Sequence, residues 1–129
     1  MAERLHGMGM TVCSPGLDSH TDHALLSSLY CSDYGYGGIL TLDMGSEDKA
    51  NDLMDLLQNE YRFGYVAVSL GYFDTLMSCS GSSTSSELTD EDKAAANSSP
   101  VLMRMSIGIT GTLEQRWGQL ESALGQVGA

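Results

Sequence analysis

Residues 101–112, with the sequence VLMRMSIGITGT, have the pattern of a strand that leads through glycines into a helix. Alternate side chains of a strand share a face, so Met103 and Met105 are expected to face the core. Arg104 then lies on the opposite face, where a guanidinium is costly to bury without an anionic partner. That partner is either a carboxylate of the same chain, in a structural ion pair, or the carboxylate of a bound substrate.

The composition is that of an acidic globular protein with one domain. The chain has 129 residues, of which 42% are hydrophobic, and its formal net charge is -11. This length is enough to bury a core. A chain this acidic repels nucleic acid and anionic lipid, so neither is expected as a partner. Its longest apolar run, residues 65–70, is too short to span a membrane.

The cysteines predict a reducing compartment. Cys13, Cys31 and Cys79 are odd in number and widely spaced, so they indicate neither a disulfide framework nor a thiolate zinc site. The N-terminus has charges and glycines where a secretory signal would have an apolar stretch. A cytoplasmic location is therefore expected.

The two histidines near the start of the chain are the place where a metal site has to be considered. His20 and His23 are three residues apart, and Asp18 and Asp22 lie beside them. A zinc site needs a third and a fourth ligand at suitable spacing, and the sequence offers none. No metal site is predicted, and the segment is interpreted as the polar first turn of a helix.

Alternation and capping patterns predict four strands and the helices between them. The strands are expected at residues 10–13, 39–44, 65–70 and 101–107. Ser46 is placed to cap one helix, and Thr112 with Gln115 forms a capping box for the last helix, which is expected to end at Gly125. Other helices are predicted at residues 2–8, from Asp18 or Ser19 to Tyr30, at residues 74–77 as a single turn, and at residues 89–97. The serine-rich residues 78–86 are predicted to form a loop.

This order of elements predicts an α+β fold. A four-stranded sheet with helices packed on one face gives a two-layer sandwich. The other face of the sheet, with Arg104 on it or near its rim, is expected to meet water or another domain.

Several motifs together resemble one enzyme family. GYGGILTLDM, AVSLG, DTLMSCSGSSTSSELTDED and VLMRMSIG occur in the order and spacing of the C-terminal domain of the Cys/Met-metabolism pyridoxal-phosphate (PLP) enzymes of fold type I. Within that family the chain looks most like the methionine γ-lyase branch, in its plant-type form. The resemblance implies a small amino-acid substrate, PLP as cofactor and a homo-oligomer, a tetramer in the family.

The resemblance also implies a missing part. In the family a large N-terminal domain carries the lysine that forms the internal aldimine with PLP. The lysines here are Lys49 and Lys93, and neither lies in the family's lysine motif. Residues 1–129 are thus expected to be a single C-terminal domain, with no catalytic lysine and no cofactor-binding residue of its own. Alone, it is expected to be inactive.

The family's substrate-binding residues can be carried over by motif. Arg104 in LMRMSIG matches the arginine that binds the substrate α-carboxylate, and Ser69 in AVSLG matches a serine beside it. Thr84 matches the threonine of the family's MTH segment, although Ser83 and Ser85 replace its neighbours. A further departure is Thr110-Gly111 in place of the family's common acidic pair.

Val68 bears on substrate choice. Cystathionine γ-lyases have a glutamate just before the serine, so an apolar residue implies the branch that cleaves methionine to methanethiol, 2-oxobutanoate and ammonia. Two alternatives stay open. One is another transsulfuration enzyme of the same family, a cystathionine lyase or synthase. The other is a free-standing, non-catalytic α+β binding module in which Arg104 pairs with an internal acid.

Overall fold

A single sheet organises the computed structural model, which describes residues 1–31, 33–80 and 101–128. Its five strands have the spatial order β1-β2-β5-β4-β3. The strands are β1 (Val12–Cys13), β2 (Ile39–Asp43), β3 (Gly64–Val66), β4 (Thr75–Cys79) and β5 (Leu102–Ser106). The helices are α1 (Ala2–Gly7), α2 (His23–Leu29), α3 (Glu47–Asp55) with a π-helical turn (Leu56–Glu60), and α4 (Leu113–Val127).

The strand that carries Arg104 lies in the middle of the sheet. β5 pairs antiparallel with β2 on one side and with β4 on the other. β1 extends the sheet antiparallel to β2, and β3 pairs parallel with β4. Because β5 is hydrogen-bonded along both edges, the backbone that bears Arg104 is fixed on two sides.

The core lies between the sheet and a layer formed by α1, α3 and α4. Met103 and Met105 on β5 are fully buried in it, as the alternation along the strand predicts. The helices cover them with apolar side chains, among them Leu5, Leu53 and Leu124. The α+β fold is thus confirmed.

The number of strands was predicted wrongly. Residues 74–77 were expected to form a helical turn, whereas Thr75–Cys79 is the strand β4. All five of its residues are buried, so both faces of the strand are covered. Such a strand lacks the alternation of apolar and polar residues by which a half-buried strand is recognised.

The strand predicted at residues 65–70 is also different. β3 is shorter, starts one residue earlier and forms an edge of the sheet. The following residues 67–74, called here the β3–β4 segment, run across to the start of β4. At Gly64 a side chain would collide with the backbone of Thr75, which explains why glycine opens this strand.

Both predicted helix caps are confirmed, whereas the predicted end of α4 and the predicted start of α2 are wrong by several residues. The Ser46 hydroxyl accepts a hydrogen bond from the Lys49 amide, and the Thr112 hydroxyl accepts one from the Gln115 amide. α4 runs past Gly125 and ends at Gly128, whose φ of 67° is the left-handed conformation that glycine adopts readily. α2 begins only at His23. The predicted helix at 89–97, and most of the predicted serine-rich loop, lie outside the described residues.

An exposed ion pair joins the first and last helices. Arg4 on α1 donates to both carboxylate oxygens of Glu114 on α4, at 3.0 and 2.5 Å. This hydrogen bonding, together with the charge of Arg4, holds the pKa of Glu114 below its usual value of 4.5. The stabilisation from the pair is therefore present at neutral pH and is lost as the pH falls through the lowered pKa.

Within the described residues, none of the helices is both long enough and apolar enough to cross a lipid bilayer.

Candidate functional site

Arg104 stands in a row of side chains on the sheet face that the helices do not cover. Its register partners are Thr41 on β2 and Ser78 on β4, so the three side chains share one face. Two residues with hydroxyl groups therefore flank the guanidinium. Arg104 itself is half-buried, whereas Met103 and Met105, its neighbours along the strand, point into the core.

The guanidinium of Arg104 is held by the backbone of the β3–β4 segment. Its Nη2 donates to the carbonyl oxygens of Ala67 and Ser69, at 3.3 and 3.0 Å. Its Nε is buried and has no hydrogen-bond partner among the described residues. A buried donor on a charged group is unfavourable unless it is paired, so this guanidinium still has hydrogen-bonding capacity to satisfy.

The ion pairs between described residues do not include Arg104. They join Arg4 to Glu114, His23 to Asp18, and Arg116 to Asp74. The structural ion pair that the sequence left open is thus not found in the described part of the chain. Two neutral carbonyls hold Arg104 in place, and none of the described carboxylates forms an ion pair with it.

The structure brings three of the four sequence-predicted site residues together. Ser69 contacts Arg104 through its carbonyl oxygen, and Val68 lies between the two carbonyls that hold Arg104. The side chain of Val68 is 57% exposed. The fourth residue, Thr84, lies outside the described residues.

A shallow apolar cleft adjoins this site. It has a volume of about 380 Å³ and is bordered by the β3–β4 segment together with residues of β3 and β4. The residues that line it include Tyr65, Leu70, Tyr72 and Leu76. Leu76 pairs with Ser106, one step along the same face from Arg104. The guanidinium of Arg104 and an apolar surface therefore lie side by side.

A second cleft, of about 450 Å³, lies where the C-terminal end of β5 continues into the loop before α4. The first residues of the chain, a glycine-rich stretch before β2 and the loop between β5 and α4 line it. Among the described residues that border it is Arg116, whereas Arg104 is not. No described residue lines both this cleft and the cleft beside Arg104.

Lys49, which lies among the described residues, is not placed to act as the PLP-binding lysine beside Arg104. Lys49 lies on α3, in the helix layer, and its Nζ donates to the carbonyl oxygen of Gly128 at the C-terminal end of α4. It is thus on the opposite side of the sheet from Arg104. Lys93 lies outside the described residues.

The two histidines take part in local hydrogen bonds. His23 Nδ1 lies 2.9 Å from the carbonyl oxygen of Pro15, and its Nε2 lies 3.3 Å from Asp18. His20 accepts a hydrogen bond from the Asp22 amide. The described residues contain no group of three or more side chains placed to hold a metal ion.

Sequence reasoning missed a buried polar cluster beside the site. The carboxylate of Asp74, at the end of the β3–β4 segment, pairs with Arg116 of α4 at 2.8 Å. The hydroxyl of Thr110 donates to the same oxygen. The signals in the sequence were Asp74, as the first residue of one family motif, and Thr110-Gly111, noted only as a departure from the family pattern.

The chain matches one family along most of its length. Residues 5–123 match the family described as Cys/Met metabolism PLP-dependent enzyme. The chain belongs to this family. The resemblance drawn from the motifs is confirmed.

Members of this family among curated proteins share much of the sequence. The chain is 58% identical to methionine gamma-lyase of Arabidopsis thaliana over 122 residues, which cover 95% of the chain. It is 27% identical to cystathionine gamma-lyase of Bacillus subtilis over 104 residues, 81% of the chain. The chain spans 28% and 26% of the lengths of these two relatives.

The fold matches solved PLP enzymes of the family. A cystathionine gamma synthase from Xanthomonas oryzae pv. oryzae, solved in complex with cystathionine, superposes with a TM-score of 0.83 at 32% identity. The match covers 98% of this chain and 32% of that enzyme. Cystathionine gamma-lyase from yeast superposes equally well at 23% identity, over 99% of this chain and 32% of that enzyme, which supports the fold.

Proposed function

We propose that this chain is the part of a PLP-dependent carbon–sulfur lyase that binds the α-carboxylate of the substrate, and that the substrate is methionine. The observation that carries the proposal is Arg104, a half-buried guanidinium held by two neutral carbonyls and without a carboxylate partner among the described residues. The 58% identity to the Arabidopsis methionine gamma-lyase supports methionine as the substrate.

The carbonyls of Ala67 and Ser69 fix the direction in which the guanidinium points. Both accept from Nη2, and Nε has no partner among the described residues, so in this proposal the remaining donors of Arg104 bind the two oxygens of a carboxylate. A bound amino acid would thereby be held by its carboxylate at a defined orientation, which lowers the entropy lost in reaching the reactive geometry. Bound PLP would supply the electron sink, and the protein supplies binding and orientation.

The apolar cleft beside Arg104 is the proposed site for the side chain of the substrate. A methionine held by its carboxylate would extend its thioether over an adjacent surface, and Tyr65, Leu70 and Leu76 offer such a surface. A thioether is apolar and polarisable, so it is favoured against aromatic and aliphatic groups.

In this proposal the chain acts together with a PLP domain that carries the aldimine-forming lysine. The complete protein is proposed to be a cytoplasmic homo-oligomer. The cleavage products would be methanethiol, 2-oxobutanoate and ammonia. The chain is the small C-terminal domain of that enzyme, and its own contribution is the carboxylate site at Arg104.

The test of this function is the release of methanethiol from methionine. The complete enzyme with PLP is expected to release it, and residues 1–129 with PLP are expected to release none, since no described lysine lies near Arg104. Release by residues 1–129 above that of a heat-treated sample would contradict the assignment of the chemistry to another domain. No release from methionine by the complete enzyme, with turnover of cystathionine, would favour the cystathionine lyase alternative.

A second prediction concerns substrate choice. Val68→Glu places a carboxylate beside Arg104 on an exposed position of the β3–β4 segment. We expect the ratio of kcat/KM for methionine to that for cystathionine to fall by about tenfold or more, because a charge next to the thioether is unfavourable and the distal ammonium of cystathionine can pair with it.

Val68→Gln is the matched control, because glutamine has the size of glutamate without its charge. It is expected to change the same ratio much less than Val68→Glu does. An unchanged ratio in the glutamate variant would remove Val68 from the specificity of the enzyme.

A further inference from the structure

Arg116 on α4 joins three separate parts of the chain. Its Nη2 pairs with Asp74 at 2.8 Å, and its Nε donates to the carbonyl oxygen of Thr110 at 2.9 Å. Its Nη1 donates to the carbonyl oxygens of Phe63 and Arg62, at 2.9 and 3.1 Å. The side chains of Arg116 and Asp74 are only 12% and 17% exposed. The pair is thus largely shielded from solvent.

Asp74 is the other centre of this cluster. One of its oxygens, Oδ1, accepts from Arg116, from the Thr110 hydroxyl at 2.8 Å and from the Thr75 amide at 2.9 Å. The Thr110 hydroxyl also contacts Arg116. These three hydrogen bonds fix the position of the Asp74 carboxylate.

The parts joined by Arg116 are the two ends of the backbone that holds Arg104. Phe63 directly precedes β3, and Asp74 ends the β3–β4 segment. Between these ends lie Ala67 and Ser69, whose carbonyls accept from Arg104. The third part is the loop that follows β5, the strand of Arg104 itself.

Other hydrogen bonds join the same segment to β5 and to the loop that follows it. The amide of Gly71 donates to the hydroxyl of Ser106 at 3.3 Å, and the amide of Ile109 donates to the carbonyl oxygen of Phe73 at 2.9 Å. Neither bond involves a charged group. The Arg116–Asp74 pair is the only ion pair between described residues that links the β3–β4 segment to the rest of the fold.

We propose that Arg116 and Asp74 are positioning residues for Arg104, holding the β3–β4 segment where its carbonyls fix the substrate-binding guanidinium. This proposal rests on the function proposed above. Removal of Arg116 leaves the largely buried Asp74 carboxylate without its charge partner and removes the hydrogen bonds of Arg116 to both ends of this backbone. The carbonyls of Ala67 and Ser69 then no longer define one direction for the Arg104 side chain.

The test is steady-state kinetics of the complete enzyme with Arg116→Met and Arg116→Lys. Lysine keeps a charge for Asp74 but cannot donate to several carbonyls at once, so it is expected to rescue part of the loss. The matched control is Arg4→Met, which removes an arginine–carboxylate pair from the exposed side of the same helix. Arg4 has no contact with the β3–β4 segment among the hydrogen bonds of the described residues.

For Arg116→Met we expect the KM for methionine to rise by about 10-fold to 100-fold, as for the loss of hydrogen bonding to a charged group, while kcat changes by less than about threefold. The inhibition constant of 3-(methylthio)propylamine, which is methionine without its carboxylate, is expected to stay within about twofold of the parent value, because it does not use Arg104. Arg116→Lys is expected to lie in between, and Arg4→Met to match the parent.

The proposal would be overturned if Arg116→Met left the KM for methionine unchanged, or if it weakened the binding of methionine and of the amine equally. The Arg116–Asp74 pair would then only stabilise the fold. If Arg116→Met does not give soluble enzyme, Thr110→Val removes one donor to Asp74 and keeps the ion pair. A carboxylate-selective rise in KM of about threefold or more supports the proposal, and no such rise overturns it. Arg104→Ala in the same series distinguishes the proposed carboxylate site from the proposed positioning role of Arg116. If Arg104→Ala leaves the KM for methionine unchanged, the carboxylate site is wrong, whatever the result for Arg116.

Discussion

Arg104→Ala in the complete enzyme is expected to lower kcat/KM for methionine by about 30-fold to several thousand-fold. Removal of one partner of a desolvated charge pair costs about 2–5 kcal/mol, and each 1.4 kcal/mol corresponds to a factor of ten. The carbonyls of Ala67 and Ser69 lose their donor at the same time, but they are neutral, so this adds little. Binding of PLP is expected to persist, since no PLP lysine lies near Arg104 among the described residues.

Arg104→Lys separates charge from geometry. Lysine retains the positive charge but lacks the planar pair of donors, so its kcat/KM is expected to lie between those of the alanine variant and the parent. The Arg4→Met variant controls for the loss of an arginine as such. A fall in melting temperature with an unchanged KM in Arg104→Ala would show that the arginine serves the fold and not the substrate.

The second large effect is expected from Gly108→Ala. A Cβ atom at this position would lie 2.6 Å from the carbonyl oxygen of Phe73 and closer still to the carbonyl carbon of Asp74. These are backbone atoms, so a change of side-chain rotamer cannot relieve the clash. The loop after β5 therefore has to move away from the β3–β4 segment. We expect a destabilisation of about 3 kcal/mol or more, at the upper end of the range for overpacking. The measurement is the melting temperature of the complete enzyme.

Gly118→Ala is the matched control for this substitution. Gly118 lies within α4, and a Cβ atom there would have nothing within 4 Å. Alanine is favoured over glycine in a helix by about 1 kcal/mol, so this variant is expected to melt slightly higher than the parent. Equal melting temperatures for the two alanine variants would mean that the close approach at Gly108 is not a constraint.

The sequence allowed correct prediction of features that depend on neighbouring residues. The caps at Ser46 and Thr112 involve partners three residues away, and the two faces of β5 follow from strict alternation. The missed strand β4 is different, because its burial on both faces is decided by elements far away in the chain. The resemblance through motifs correctly identified the family in advance.

The contacts that define the site could not be predicted from residue types. Arg104 was expected to need an anion within reach, yet its partners are backbone carbonyls, which every residue possesses. The Arg116–Asp74 pair joins residues 42 apart in the chain, and although Asp74 opens one of the family motifs, nothing in the sequence pairs it with Arg116. Both contacts depend on how the β3–β4 segment folds over the sheet, and that path is set by tertiary packing.

Because backbone carbonyls hold Arg104, the position of this arginine does not depend on which side chains the β3–β4 segment carries. A carbonyl oxygen is present whichever side chain occupies residue 67 or 69, so the arginine stays anchored when the sequence of the segment changes. The exposed side chains of the same segment, such as Val68, Leu70 and Tyr72, can then be exchanged to suit a new substrate. A saturation library confined to these three residues is therefore a compact route to lyases with altered preference, with little of the loss of folded protein that core libraries suffer.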